Sequence, residues 1–123
     1  MPETVSARLD LLQAAGKVNT AARRATEALL EAARAHLGQD LEDSHGVMMA
    51  THLALACQRV LDGVSAAEPL PEAEAELEPY PQERAAAARL AQQIEPMLPA
   101  PFPQAEVVYL AMHLAARRRG GDS

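Results

Sequence analysis

The segment SHGVMMATHLALACQRVLDG, residues 44–63, decides the fold class of this 123-residue chain. Its apolar positions recur at spacings of 4, 3 and 4 residues, at Met49, Leu53, Ala56 and Val60. This is the period of an α-helix that buries one face. Asp43 or Ser44 is a good N-cap residue, and Gly63 ends the pattern. The segment therefore predicts an amphipathic helix.

The same periodicity and punctuation predict four more helices, at about residues 4–15, 20–37, 81–97 and 104–119. Asn19 and Gly38 suit the two ends of the second helix, and Pro81 suits the first position of the fourth. Three sets of residues should face the core: Val5, Leu9 and Leu12; Ala25, Leu29, Ala32 and Ala33; Leu90, Ile94 and Met97. A short helical turn at residues 71–77 is also possible. We expect an all-α, five-helix bundle.

The composition agrees with a helical fold. The chain has 27 alanines but only 12 β-branched residues and three aromatic ones. Alanine loses no side-chain entropy in a helix, whereas strands favour branched and aromatic side chains. The net charge of −6 disfavours a general role in binding nucleic acid.

The cysteine content and the hydropathy of the sequence indicate the cellular compartment. The single cysteine, Cys57, excludes an internal disulfide and fits a reducing environment. We expect it to be a small buried apolar residue. No signal peptide or membrane span is apparent in the sequence. We therefore expect a cytoplasmic protein without membrane contact. The arginines at 117–119 should form a solvated helix end, where cations suit the helix dipole.

Two of the four histidines lie in the middle of helices, at matching distances from opposite charges. His52 precedes Arg59 by seven residues, and Glu106 precedes His113 by seven. If the two helices pack antiparallel, Arg59 could pair with Glu106 while the histidines approach each other at the opposite end. Structural histidines explain the pattern equally well. The remaining two, His36 near a helix end and His45 in a first turn, are expected to be structural or solvated.

The two segments resemble the signatures of a known family. The segment HLALACQR, residues 52–59, is similar to the His-Leu/Ile-x-x-Ala-x-x-Arg signature of the PTS regulation domain, or PRD. The segment EVVYLAMH, residues 106–113, resembles its second signature, Glu-Ile/Val-x-Tyr-Leu/Ile-x-Met/Leu-His. Between them, Tyr80-Pro81-Gln82-Glu83 resembles the start of the family's fourth helix. The resemblance covers roughly residues 5–116.

This resemblance implies a regulatory module, usually dimeric, whose histidines are phosphorylated by the sugar phosphotransferase system. His52 and His113 fall on the phosphoacceptor positions, and Arg59 and Glu106 fall on recurrent charged positions. It implies no enzyme activity and no cofactor. The expected partners are a second copy of the chain and phosphotransferase-system phosphocarrier proteins or another regulator. One departure is Thr51, since an acidic residue commonly precedes the first histidine of the family.

The domain organisation expected is a single PRD-like helical domain spanning 1–123. Residues 5–116 form its helical part, and residues 117–123 form a short basic tail. No residues are then left over for an effector domain within this sequence. We therefore expect a free-standing module that acts through a partner protein and does not bind nucleic acid itself.

Three other functions remain open at this point. One is a helical interaction or assembly subunit that is not phosphorylated. Another is an enzyme or small-molecule sensor in which Arg59 anchors an anion. A third is a metal site formed by His52 and His113 with Glu106 or Glu95, although the Glu-x-x-His pairs of carboxylate-bridged metal bundles are missing.

Overall fold

The computed structural model describes residues 4–64 and 71–121, with side chains described as far as Arg118. All regular structure in these ranges is helical. In chain order the elements are α1 (Val5–Ala14), α2 (Thr20–Leu37), α3 (Ser44–Leu61), α4 (Pro71–Glu76), α5 (Pro81–Ile94), a 3₁₀ turn (Glu95–Met97) and α6 (Gln104–Gly121). The all-α prediction is confirmed for the described part of the chain.

Side-chain caps set the starts of the first three helices. The side chains of Thr4, Asn19 and Asp43 accept hydrogen bonds from backbone N–H groups in the first turns of α1, α2 and α3. Each cap satisfies a donor that has no partner within its helix. At the other end of α2, Gly38 takes the left-handed conformation with φ +68°. These local signals are the reason the predicted boundaries are close to the observed ones.

The number of helices differs from the prediction, because the described residues contain six α-helices and not five. The additional helix is α4, which begins at Pro71. Proline suits a first helical position, and Glu72 and Glu74 place negative charge in the first turn. Glu74 also forms an ion pair with Arg84 of α5. Leu77, directly after α4, is buried and attaches this segment to the core.

The prediction that Met97 faces the core is wrong. Helix α5 ends at Ile94, and the chain continues as a 3₁₀ turn that contains Pro96. Proline has no N–H and therefore cannot extend the α-helical hydrogen-bond ladder. The turn changes the direction of the side chains, and Met97 is exposed. On α3, Met48 is likewise exposed, at 61%.

The core forms where α2 packs against α3 and α5, α5 packs against α6, and α1 lies on α3. The predicted α3 stripe, Met49, Leu53, Ala56 and Val60, is buried. Many buried positions are alanines, whose small side chains allow close approach of the helices. Cys57 is fully buried as expected, and burial raises the pKa of its thiol to about 11.

The C-terminal end of α6 differs from the solvated helix end that the arginines suggested. The Arg117 side chain is only 14% exposed, and its Nη1 atom lies 2.6 Å from Oδ2 of Asp43. Its Nε atom donates to Gln39. Arg118 lies 3.8 Å from Glu83 of α5. The side chain of Arg119, together with residues 65–70 and 122–123, lies outside the described part of the chain.

Candidate functional site

Helices α3 and α6 bring three of the predicted site residues into one cluster. Nε2 of His52 lies 2.7 Å from Oε2 of Glu106, and Nη2 of Arg59 lies 3.9 Å from Oε1 of the same carboxylate. The Glu106 side chain is 12% exposed, whereas one third of the His52 side chain is exposed. The predicted pairing of Arg59 with Glu106 is confirmed. The additional contact to His52 places a carboxylate between an imidazole and a guanidinium.

Tyr109 links this cluster to the second histidine. Its ring is stacked on His52 with a centroid distance of 3.6 Å and an interplanar angle of 15°. Its hydroxyl lies 2.9 Å from Nε2 of His113, and the two share a hydrogen bond whose direction depends on the imidazole tautomer. The sequence suggested that the histidines approach each other, but not that Tyr109 contacts both. The available signal was spacing, because Tyr109 follows Glu106 by three residues and precedes His113 by four.

The surroundings of the site favour a neutral imidazole at His113. Burial lowers the pKa of His113, and the nearby His52, His45 and Arg117 lower it further. Burial and the charge of Glu106 raise the pKa of Tyr109, so its hydroxyl keeps its proton at neutral pH. A neutral imidazole has a lone pair on one ring nitrogen and can act as a nucleophile.

Thr51, which stands where the family commonly has an acid, has partners of its own. Its hydroxyl donates to the carbonyl of Val47 one turn earlier and accepts from Nη1 of Arg8 at 3.0 Å. This contact ties α1 to α3 beside His52. An arginine, and not an acid of α3, therefore supplies the charged group next to Thr51.

A second cluster of histidine, glutamate and arginine lies on α2, α5 and α6. Nε2 of His36 is 3.3 Å from Oε2 of Glu83, and Arg118 approaches the other oxygen of that carboxylate. The Glu83 side chain is 8% exposed. The sequence identified Glu83 only as part of the Tyr-Pro motif, and nothing in its spacing pointed to His36 47 residues earlier. His45 is exposed, as expected.

Among the described residues, no group of three or more histidine, cysteine, aspartate or glutamate side chains is arranged to hold a metal ion. The cluster of His52, Arg59, Glu106, Tyr109 and His113 instead combines two imidazoles, one carboxylate, one guanidinium and one phenol. Such a group can hold an imidazole in one orientation and offer a cation to an anionic substituent.

The fold and this site define an all-helical module with paired histidines on two helices. The family model of the PRD domain matches residues 27–117, from the middle of α2 to the last turns of α6. The chain belongs to the PRD domain family, a family of regulatory modules. Searches of curated proteins and of solved structures found no significant match. Within the described residues, every helix falls short of what a membrane span requires.

Proposed function

We propose that this PRD domain is a phosphorylation-controlled regulator, in which His52 and His113 accept phosphoryl groups from phosphocarrier proteins of the sugar phosphotransferase system. The observation that carries the proposal is the hydrogen bond between His52 and Glu106. A carboxylate on one ring nitrogen orients an imidazole and stabilises the positive charge that develops when the other nitrogen acts as a nucleophile.

The charges around the site support a switch. A phosphoryl group brings up to about two negative charges to a single side chain. On His52 it would lie near Glu106, which repels it, and near Arg59, which attracts it. Because Glu106 belongs to α6 while His52 and Arg59 belong to α3, this change in charge acts on the packing of the two helices.

The regulator is proposed to act through protein contacts, including those of a homodimer. Met48 lies four residues before His52 on α3, and therefore on the same face of the helix. The residue is 61% exposed, so the described helices leave this large apolar side chain uncovered. A partner surface that covers Met48 would also meet the exposed part of His52.

Incubation with the general phosphotransferase components and radioactive phosphoenolpyruvate tests the acceptor role. The wild-type chain is expected to become labelled, and the double variant His52→Ala/His113→Ala is expected to lose the label. A second double variant, His36→Ala/His45→Ala, is the matched control and should keep it. Label that survives removal of His52 and His113 would show that other residues are the acceptors.

A helical assembly subunit without phosphorylation is the second candidate. Thr51 in place of the usual acid, already engaged by Arg8, is the observation that favours it. In that case the same phosphotransferase components do not label the protein. Substitutions on the face of α3 that carries Met48 then change its oligomeric state and have no effect on labelling.

A further inference from the structure

We propose that His52 is the primary acceptor and that it takes the phosphoryl group on Nδ1, with Glu106 as the positioning residue that keeps the proton on Nε2. This inference deepens the proposed function and rests on it. It concerns which atom of the site reacts, and it follows from the hydrogen bonds of the resting protein.

The contact with Glu106 fixes the tautomer of His52. An ionised carboxylate only accepts hydrogen bonds, so at 2.7 Å from Oε2 of Glu106 the Nε2 atom must be the donor. In a neutral imidazole the other nitrogen, Nδ1, then has the lone pair. No described residue forms a hydrogen bond with Nδ1 of His52. Nδ1 is therefore the nucleophilic nitrogen of this ring.

Two neighbours hold the His52 ring in place. Tyr109 covers one face of His52 in a near-parallel stack, and Glu106 holds the Nε2 edge. Rotation of the ring to present Nε2 would break the 2.7 Å hydrogen bond and leave a carboxylate that is 12% exposed without its closest partner. Arg59, at 3.9 Å, would remain beside the carboxylate, but this largely buried charge would lose its shorter contact, and that loss opposes the rotation.

Phosphoryl transfer to His52 forms one P–N bond and breaks another. The lone pair of His52 Nδ1 forms a bond to phosphorus, while the P–N bond of a phosphohistidine on the donor protein breaks and its electron pair returns to the donor ring. Only the phosphoryl group moves. The His52 ring gains positive charge, and the hydrogen bond from Nε2–H to Glu106 stabilises it.

His113 has no comparable constraint on its tautomer. Its Nε2 faces the hydroxyl of Tyr109, which can donate or accept. The contact does not fix which ring nitrogen carries the proton, and the ring is partly buried. The geometry thus distinguishes the two histidines, although the sequence signatures treat them alike.

Nitrogen NMR of the full chain, labelled with ¹⁵N in histidine, tests the tautomer before any phosphorylation. Above the pH at which imidazoles titrate, Nε2 of His52 is expected to show the shift of a protonated nitrogen and Nδ1 that of an unprotonated one. In Glu106→Gln the two shifts should move toward a mixture of tautomers. The matched control is Glu83→Gln, which alters the other histidine–glutamate contact and should leave His52 unchanged. A proton on Nδ1 in the wild-type protein overturns the inference.

The position of the phosphoryl group is tested with phosphotransferase components and, separately, with phosphoramidate as a chemical donor. In a His113→Ala background, antibodies specific for the two phosphohistidine isomers should detect the Nδ1 isomer while His52 is present, and should lose it when His52 is also replaced by alanine. Glu106→Gln should label at least about tenfold more slowly, whereas Glu83→Gln should not. The Nε2 isomer on His52 overturns this inference but leaves the proposed function intact. Labelling by phosphoramidate alone contradicts the proposed function, and the NMR result then decides the tautomer independently.

Discussion

At the scale of the residue, Tyr109 and Glu106 determine what the two histidines can do. Glu106 contacts His52 and Arg59, and Tyr109 contacts both histidines. The two residues lie three apart on α6, on the same side of the helix. A single helix face therefore supplies the groups that orient the imidazole of α3.

The lowered pKa of His113 predicts a pH dependence of stability. The unfolded chain, with an imidazole pKa near 6.5, binds this proton more readily than the folded protein. The contribution of His113 to the free energy of unfolding is therefore fully present above pH 6.5. It is lost as the pH falls through the lower pKa of the folded state. Urea unfolding across this range should show it, and His113→Gln should reduce the dependence. An equal dependence in the variant and in wild type would contradict the assignment.

At the scale of the element, the start of α3 depends on a close backbone approach. Leu41 is fully buried and has a φ of +60°, which is rare for a branched side chain. Its carbonyl oxygen lies where a Cβ atom on Gly46 would be, at 1.8 Å from that position. The strained Leu41 and the glycine of α3 thus belong to one arrangement. This turn connects α2 to α3, the helix that contains His52.

Gly46→Ala is expected to destabilise the protein by about 3 kcal/mol or more, because the new methyl group meets backbone and not a movable side chain. Chemical unfolding measures the effect. Gly38→Ala is the matched control, since its Cβ meets open space and only the left-handed φ is unfavourable, at about 1 kcal/mol. A smaller loss for Gly46→Ala than for Gly38→Ala would contradict the close approach.

At the scale of the whole molecule, charges at the end of α6 join distant helices. Arg117 pairs with Asp43, the residue that caps α3. Arg118 lies near the carboxylate of Glu83, which also contacts His36. The pKa of Asp43 is lowered by the hydrogen bond that its carboxylate accepts from the Gly46 N–H, and also by the ion pair with Arg117. The helix that holds Glu106 and His113 is thereby tied to the helix that holds His52 at a second point.

The proposed homodimer is a property of the assembled molecule. Met48→Glu is expected to shift the protein toward the monomer in native mass spectrometry or sedimentation, because a charge would be buried against the partner. Val64→Glu makes the same kind of change at an exposed apolar residue just after the other end of α3, and should leave the dimer intact. A wild-type protein that is monomeric at all concentrations would contradict the proposal.

Much of the fold could be predicted from local signals. Helix period, caps and prolines act within a few residues, so the boundaries of α1, α2 and α3 were close to those observed. Details that depend on a competing local rule or on packing were harder to predict. Pro96 redirects Met97 away from the core, and the acidic first turn with the buried Leu77 makes the possible turn at residues 71–77 a helix of its own, α4.

The helical class, the caps and the seven-residue spacings from His52 to Arg59 and from Glu106 to His113 can all be read from the amino-acid sequence. Three contacts became visible only in the folded chain: Glu106 with His52, Tyr109 with His52, and Glu83 with His36. The reason is physical. Periodicity acts over a few residues, whereas His52 and Glu106 are 54 residues apart, and their contact depends on how all the helices between them pack.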